Sequence, residues 1–208
     1  AAAGPLAARV DGAVDISGAG GSMAELVASL AGGGRARFSD LRIAGAAPDA
    51  LARVVADFEK MESAPEARAV ADRLARDLDG ATQRPSSFES EATVASGRIA
   101  LAPADVRAGA LDARLSGAFD LRADTLDVRE TLTLPAPAGW TGAPRIELTW
   151  SGARAAPRRT MNVDALIAAL AERAIAREHE RNAALEADIH ERAFFNRRLK
   201  MDRRADEE

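Results

Sequence analysis

The chain has 208 residues, a length suited to one domain or to one domain with an appendage. Hydrophobic residues make up 47%, but 50 residues are alanine, so large apolar side chains are scarce and burial per residue is thin. The absence of cysteine excludes disulfides, thiol nucleophiles and cysteine-based zinc sites, and a net charge of -4 argues against a bulk nucleic-acid binder, which needs a basic face against phosphate.

Charge is unevenly placed. Residues 1–150 are the acidic part, whereas the remainder is nearly balanced and finishes with the basic cluster Arg197, Arg198, Lys200, Arg203 and Arg204. No run of about 18 apolar residues exists that would make a membrane-spanning helix. The start, Ala1 to Leu6, lacks an initiator methionine and the charged and apolar regions of a signal peptide, and reads as a piece of a longer chain.

From Leu6 to Ile16 the apolar residues Leu6, Ala8, Val10, Val14 and Ile16 fall at every second position around Asp11-Gly12, which predicts a hairpin or a bulged single strand. Ser22-Met23-Ala24-Glu25 has the S-x-x-E form in which serine and glutamate satisfy orphan donors at a helix start. A short helix is predicted from Met23 to about Ala31, striped with Leu26, Val27 and Leu30 and ended by Gly32-Gly33-Gly34. Alternation resumes over Arg35–Ala44, with a turn expected at Ser39-Asp40. The predicted order is therefore strand, short helix, strand.

Pro48-Asp49 opens a helical stretch in which Leu51, Val54, Val55, Phe58 and Met61 keep a 3–4 spacing. Pro65 opens a second helix, with Val70, Leu74 and Leu78 at i+4 and Gly80 as its terminator. Each helix has one narrow apolar face, so the pair forms a hairpin or covers something.

Over Ser86–Trp150 the period returns to two. Val94, Ile99, Leu101, Leu111, Leu115, Phe119, Leu121, Leu126, Val128, Leu132, Leu134, Ile146, Leu148 and Trp150 alternate with polar residues, and Gly97, Gly109, Gly117, Asp124 and Pro135 punctuate the run. Short strands with such turn signals predict an antiparallel meander, apolar on one face and Arg/Asp-rich on the other. Its apolar face must be covered by the 48–80 helices, a partner or an apolar ligand. Pro157–Glu208 is predicted as one long helix whose weak stripe lapses at Arg177-Glu178-His179-Glu180-Arg181, so that its end projects as an aromatic and basic tip.

Most constellations with chemical potential have plainer readings. Gly18–Gly21 does not complete a dinucleotide or triphosphate motif. Ser22 lacks a neighbouring base in sequence, since the only histidines, His179 and His190, lie in the projecting helix. Eleven residues on a helix separate those histidines by about 16 Å, too far to share a metal. The meander carboxylates Asp105, Asp112, Asp120, Asp124 and Asp127 fall on polar strand positions or in turns, with no isolated acid pair that marks hydrolysis. Two features stand out: the apolar sheet face, which is either a closed core or an open groove for acyl chains, and the tip formed by Phe194, Phe195, Arg197, Arg198 and Lys200, whose composition suits an anionic membrane surface or a partner groove.

The run Gly18-x-Gly20-x-Ser22-x-x-Glu25-Leu26-x-x-x-Leu30-x-Gly32-x-Gly34, followed by Asp40-Leu41-x-Ile43-x-Gly45, resembles the C-terminal region of the AsmA family. So do the meander, with its Gly117-x-Phe119-Asp120-Leu121 element, and the ending Glu191-Arg192-Ala193-Phe194-Phe195-Asn196-Arg197-Arg198. The resemblance implies a large periplasmic protein of Gram-negative bacteria anchored in the inner membrane, associated with outer-membrane assembly and with carrying phospholipid between the membranes, without catalytic residues or cofactors.

The expected fold is α+β: an antiparallel β-meander with one apolar face, a helical hairpin inserted at about 48–80 within residues 1–150, and a linker and long charged helix over 151–208. The expected function is non-enzymatic, with phospholipid or other acyl chains moving along Ile99, Leu101, Leu111, Leu115, Phe119, Leu121, Leu126, Val128, Leu132 and Leu134, without cofactor, metal or nucleic acid. The alternative is an interaction module whose terminal helix recruits an envelope protein or rests on the membrane.

Overall fold

Among the described residues the alternating sequence becomes a single antiparallel sheet of nine strands, and helical spacing becomes four helices, an α+β fold. The computed structural model describes residues 6–206 other than 62, 64 and 80, with side chains described for 7–198 apart from Pro48. Residues 1–5, the expected terminator Gly80 and the side chains of Lys200, Arg203 and Arg204 lie outside the described residues.

In chain order the elements are β1 (Leu6–Ser17), α1 (Met23–Ser29), β2 (Ala31–Ala44), α2 (Pro48–Glu59), α3 (Ala67–Leu78), β3 (Thr82–Gln83), β4 (Phe88–Ala95), β5 (Arg98–Ala108), β6 (Leu111–Asp120), β7 (Thr125–Thr133), β8 (Arg145–Ala153), β9 (Arg158–Asn162) and α4 (Asp164–Asp206). The strands lie in the order β1-β2-β4-β5-β6-β7-β8-β9, with β3 paired to β2. The meander follows from tight turns: Ser96 (φ 51) and Gly97 (φ 77) both adopt the left-handed conformation that a two-residue hairpin demands between β4 and β5. Between β6 and β7 the Asp120 carboxylate accepts from the backbone N–H groups of Arg122 (2.9 Å) and Ala123 (3.0 Å), which holds its pKa below the usual value.

Three expectations are corrected in the first and last thirds of the chain. The Gly32-Gly33-Gly34 triplet does not end α1 but lies inside β2, paired with residues 6–17, which form a single strand, one of the two readings expected for them. A Cβ on Gly32 or Gly34 would sit 2.0 or 2.1 Å from the backbone oxygen of Asp15 or Ala13, so these glycines permit close approach of β1, not a helix cap. Ser39-Asp40 does not break the strand either: the β1–β2 register shifts there, and Asp40 takes φ 51 while β2 runs on to Ala44. Finally, the sheet runs past residue 150, because β8 extends to Ala153 and Arg158–Asn162 form β9 on its far side, where a linker and helix were expected. The Asn162 side chain then accepts from the N–H of Asp164 at the start of α4.

The expected cap of α1 is present. The N–H of Glu25 donates to the Ser22 hydroxyl (3.2 Å), and the Glu25 carboxylate accepts from the N–H of Gly21 (2.8 Å). The α2–α3 hairpin lies on the apolar sheet face: Leu51, Val54 and Val55 of α2 and Val70, Leu74 and Leu78 of α3 join Leu111, Leu132, Ile146, Leu148 and Trp150 in one core. Met61 falls beyond α2 and is exposed. Only the first turns of α4 reach this core, through Leu166 and Leu170.

Glu59, the last residue of α2, holds the next part of α4 down. It accepts from the Trp140 indole N–H and from Arg173 Nε (3.1 Å), while the Arg177 guanidinium donates to its backbone carbonyl. Beyond Arg177 the helix leaves the body, and Leu185, Ile189, Phe194 and Phe195 are exposed. Leu148→Ala should therefore destabilise the protein by about 2–5 kcal/mol, as a cavity in a closed core does, while Leu185→Ala should change stability by less than about 0.5 kcal/mol. Urea unfolding of both variants checks the contrast.

Candidate functional site: an apolar groove across the sheet

Register places the apolar residues in rows that cross the strands on one face. One row is Ile99, Phe119 and Leu126; the next is Val14, Gly34, Ala92, Leu101, Gly117, Val128 and Trp150; further along come Leu115, Glu130 and Leu148, then Ala113, Leu132 and Ile146. The helices cover the last of these rows. Leu148 and Trp150 of the adjoining rows share the closed core, and part of the remainder opens into a groove of about 260 Å³.

Every residue lining the groove comes from the sheet: Ala7, Ala8 and Val10 of β1, Phe38, Leu41 and Ile43 of β2, Phe88 of β4, Leu101 and Ala102 of β5, Leu115 to Gly117 of β6 and Val128 of β7. In a flat sheet β1 and β7 would lie five strand spacings apart, roughly 24 Å. One groove touching both requires the sheet to curl around it. Phe38 and Phe88, opposite each other in register, stack with ring centroids 4.9 Å apart and form part of its wall. Ser116 contributes the only polar side chain among the lining residues. The site therefore offers hydrocarbon surface with almost nothing to orient a polar ligand.

The ten residues expected along an acyl path separate into groups. Leu101, Leu115 and Val128 line the groove. Leu111 and Leu132 are fully buried beneath the helices and do not face an open path, a correction that follows from where the α2–α3 hairpin settles. Ile99, Phe119 and Leu126 make a half-buried row beside the groove, Leu134 packs against the core past the end of β7, and Leu121 sits exposed in the β6–β7 turn. The β1, β2 and β4 contributions were missed, although the same alternation marks Val10, Phe38 and Phe88 in the sequence.

The opposite sheet face is an ordered charge lattice. Arg107 opposes Asp112 (3.3 Å), Arg114 opposes Asp105 (3.8 Å) and Arg37 opposes Glu89 (3.6 Å), while Asp124 binds Arg154 in a turn (2.8 Å). On the helical appendage Phe194 and Phe195 contact edge to face at 5.9 Å and are exposed together with Arg197 and Arg198; the Lys200 side chain lies outside the described residues. His179 and His190 are exposed, and among the described residues no three metal-binding side chains converge.

One charged group breaks the apolar face. Glu130 is completely buried between Leu115 and Leu148, and accepts from Gln83 Nε2 at 2.8 Å. Its other oxygen and Gln83 Oε1, also buried, have no partner. Burial pushes the Glu130 carboxyl up from 4.5 to about 7, and the Gln83 bond only partly offsets this. A proton on the unpartnered oxygen supplies the missing donor, so the neutral acid fits the site better than the carboxylate.

Comparison with protein-family models, with curated proteins and with solved structures gave no match to this chain.

Because the folded-state pKa is raised, Glu130 contributes stability that is complete below about 4.5 and is lost as pH rises to about 7. Glu130→Gln keeps the hydrogen bond with no proton to lose. Relative to that variant, the wild-type protein should lose on the order of 3 kcal/mol between pH 4.5 and pH 7.5. Denaturant unfolding of both proteins across that range measures the difference.

Proposed function

We propose that this chain acts without catalysis, holding an acyl chain in the groove on the apolar face of its sheet, as one segment of an AsmA-like periplasmic protein that transfers phospholipid between the inner and outer membranes. The observation that carries the reading is the groove itself, walled by six strands and almost free of polar side chains. Its volume of about 260 Å³ lies just below the range of roughly 300–1,000 Å³ typical of pockets that enclose a whole small ligand, and suits one hydrocarbon chain with its headgroup left in solvent. Recognition of this kind reads length and saturation, not headgroup. The AsmA resemblance of the glycine-serine-leucine run and the meander supports the envelope setting.

A fluorescent fatty-acid or phospholipid probe should bind the purified chain. Leu101→Gln, which puts an amide on a half-exposed groove position, should weaken that binding at least about tenfold while leaving the melting temperature within a few degrees. Unchanged binding in this variant, or no probe binding by the wild type, refutes the reading.

A second reading is favoured by the exposed Phe194 and Phe195 beside Arg197 and Arg198: the projecting helix attaches the domain to an anionic membrane or an envelope protein. Replacing these four residues by alanine should abolish co-sedimentation with anionic vesicles and leave acyl-probe binding intact. Loss of probe binding without loss of vesicle binding contradicts this division of labour.

A further inference from the structure

We infer that β1 is a self-association edge, and that two copies of the chain join their sheets through antiparallel β1–β1 pairing about a two-fold axis at Gly12. Three observations lead there. The first is the edge itself: β1 is twelve residues long, contains neither proline nor lysine, and among the described residues pairs with no strand on its outer side. Edge strands are ordinarily blunted by shortness, lysine, proline or a bulge. The register shift near Asp40 places its extra residue in β2, so β1 itself stays regular.

The second is apolar exposure: among the described strand residues, the exposed large apolar side chains all lie on β1. Val10, Val14 and Ile16 lie on the groove side of the sheet at 55%, 41% and 50% exposure, although they continue the rows that the other strands bury or half-bury. The rows reach the edge without an end residue to close them.

The third observation selects the partner. The outer face of the sheet is ordered by directly opposed charges, as at Arg107 with Asp112 and Arg37 with Glu89. Within β1, Asp11 already faces Arg37, but Arg9 faces Ser39 and Asp15 faces Gly33. Arg9 has only a same-strand contact with Asp11 at 3.8 Å, both side chains being well exposed. Within β1, Arg9 and Asp15 are thus the two charges without an oppositely charged residue across the ladder.

Outward-pointing amides alternate along a strand, so symmetric pairing must be centred on a residue. Centred on Gly12, it sets Arg9 against Asp15 of the second copy and Asp15 against its Arg9, on the charged face. On the other face the same register sets Val10 against Val14 and Ala8 against Ile16. Centring on Asp11 opposes that aspartate to itself, centring on Ala13 opposes Asp11 to Asp15 twice, and centring on Val14 pairs no charges. Centring on Val10 pairs Arg9 with Asp11 but leaves the last residues of β1 unpaired. Gly12 alone combines full overlap with charge matching. With the axis normal to the sheet, both apolar faces lie on one side, and the grooves meet at their β1 walls.

Sedimentation of the full chain from low to high micromolar concentration tests this. The expected result is a monomer–dimer equilibrium. Asp15→Arg and Arg9→Asp should each weaken it by about tenfold or more, since each replaces two attractive cross-strand pairs by two repulsive ones. The double variant Arg9→Asp/Asp15→Arg should restore it. Both side-chain changes lie on the exposed face, and unchanged circular dichroism of the dilute proteins shows that folding is not at issue. A wild-type monomer at every concentration overturns the proposal. So does a dimer indifferent to the single changes or not restored by the double change. Assemblies that grow without limit overturn it too, because they mark head-to-tail joining of β1 to β9.

Discussion

One apolar face on a nine-stranded sheet is more surface than the helices of this chain cover, and the rest of the structure depends on that mismatch. Helices α2 and α3 have about three turns each and a single stripe, and α4 contributes only its first turns to the core. They close the sheet where Leu111, Leu132, Ile146 and Leu148 lie, and stop. Hydrophobic burial is non-directional and scales with area, so the rows left over must be handled another way. The sheet curls upon itself, which reduces exposed area but leaves a groove.

The placement of α4 follows from the same shortage. Beyond Leu170 the described large apolar residues of α4, among them Ile175, Leu185 and Ile189, are exposed, and the helix is held by polar contacts at one point, the Glu59 carboxylate with Trp140 and Arg173 and its backbone carbonyl with Arg177. Arg173 and Arg177 are only 14% and 19% exposed, so these contacts are shielded from solvent more than ordinary surface ion pairs. Past that anchor nothing competes with water for the helix, and it extends with its aromatic residues uncovered.

Alternation made most of this legible in the sequence, because a side-chain period of two admits few structures other than strands. The errors came where one residue type serves two purposes. Glycine ends helices and also lets backbones approach, and in Gly32–Gly34 only the neighbouring strand β1, distant in sequence terms, decides between them. Strand β9 carries one large apolar residue, Met161, among arginine, threonine and asparagine, so it has almost no hydrophobic signal and is recruited by the β8 edge. Core and groove were not separable in advance: Leu101 and Leu132 read alike, and the difference lies in where the α2–α3 hairpin rests. Glu130 was detectable, since it occupies the same parity as Leu126, Val128 and Leu132. A lone glutamate at an inward position marks either a site or a penalty.

The alanine-rich composition takes on a definite role in this geometry. A face built wholly from leucine and isoleucine would fill the space inside a curled sheet and make a closed core. Here the groove wall has Ala7, Ala8, Ala102 and Gly117 among Val10, Leu101, Leu115 and Val128. A Cβ added at Gly117 would already lie 3.3 Å from Val128 Cγ2, so even one methyl group crowds the wall. Small residues thus supply depth while the flanking large ones supply apolar surface, and the two together make an acyl-sized hollow. Alanine and glycine contribute little burial energy of their own, so the hollow is kept at a cost in core stability that a purely structural sheet has no reason to bear. That asymmetry, with dense packing under the helices and thin packing beside them, is the physical argument for reading the groove as the working surface of the chain.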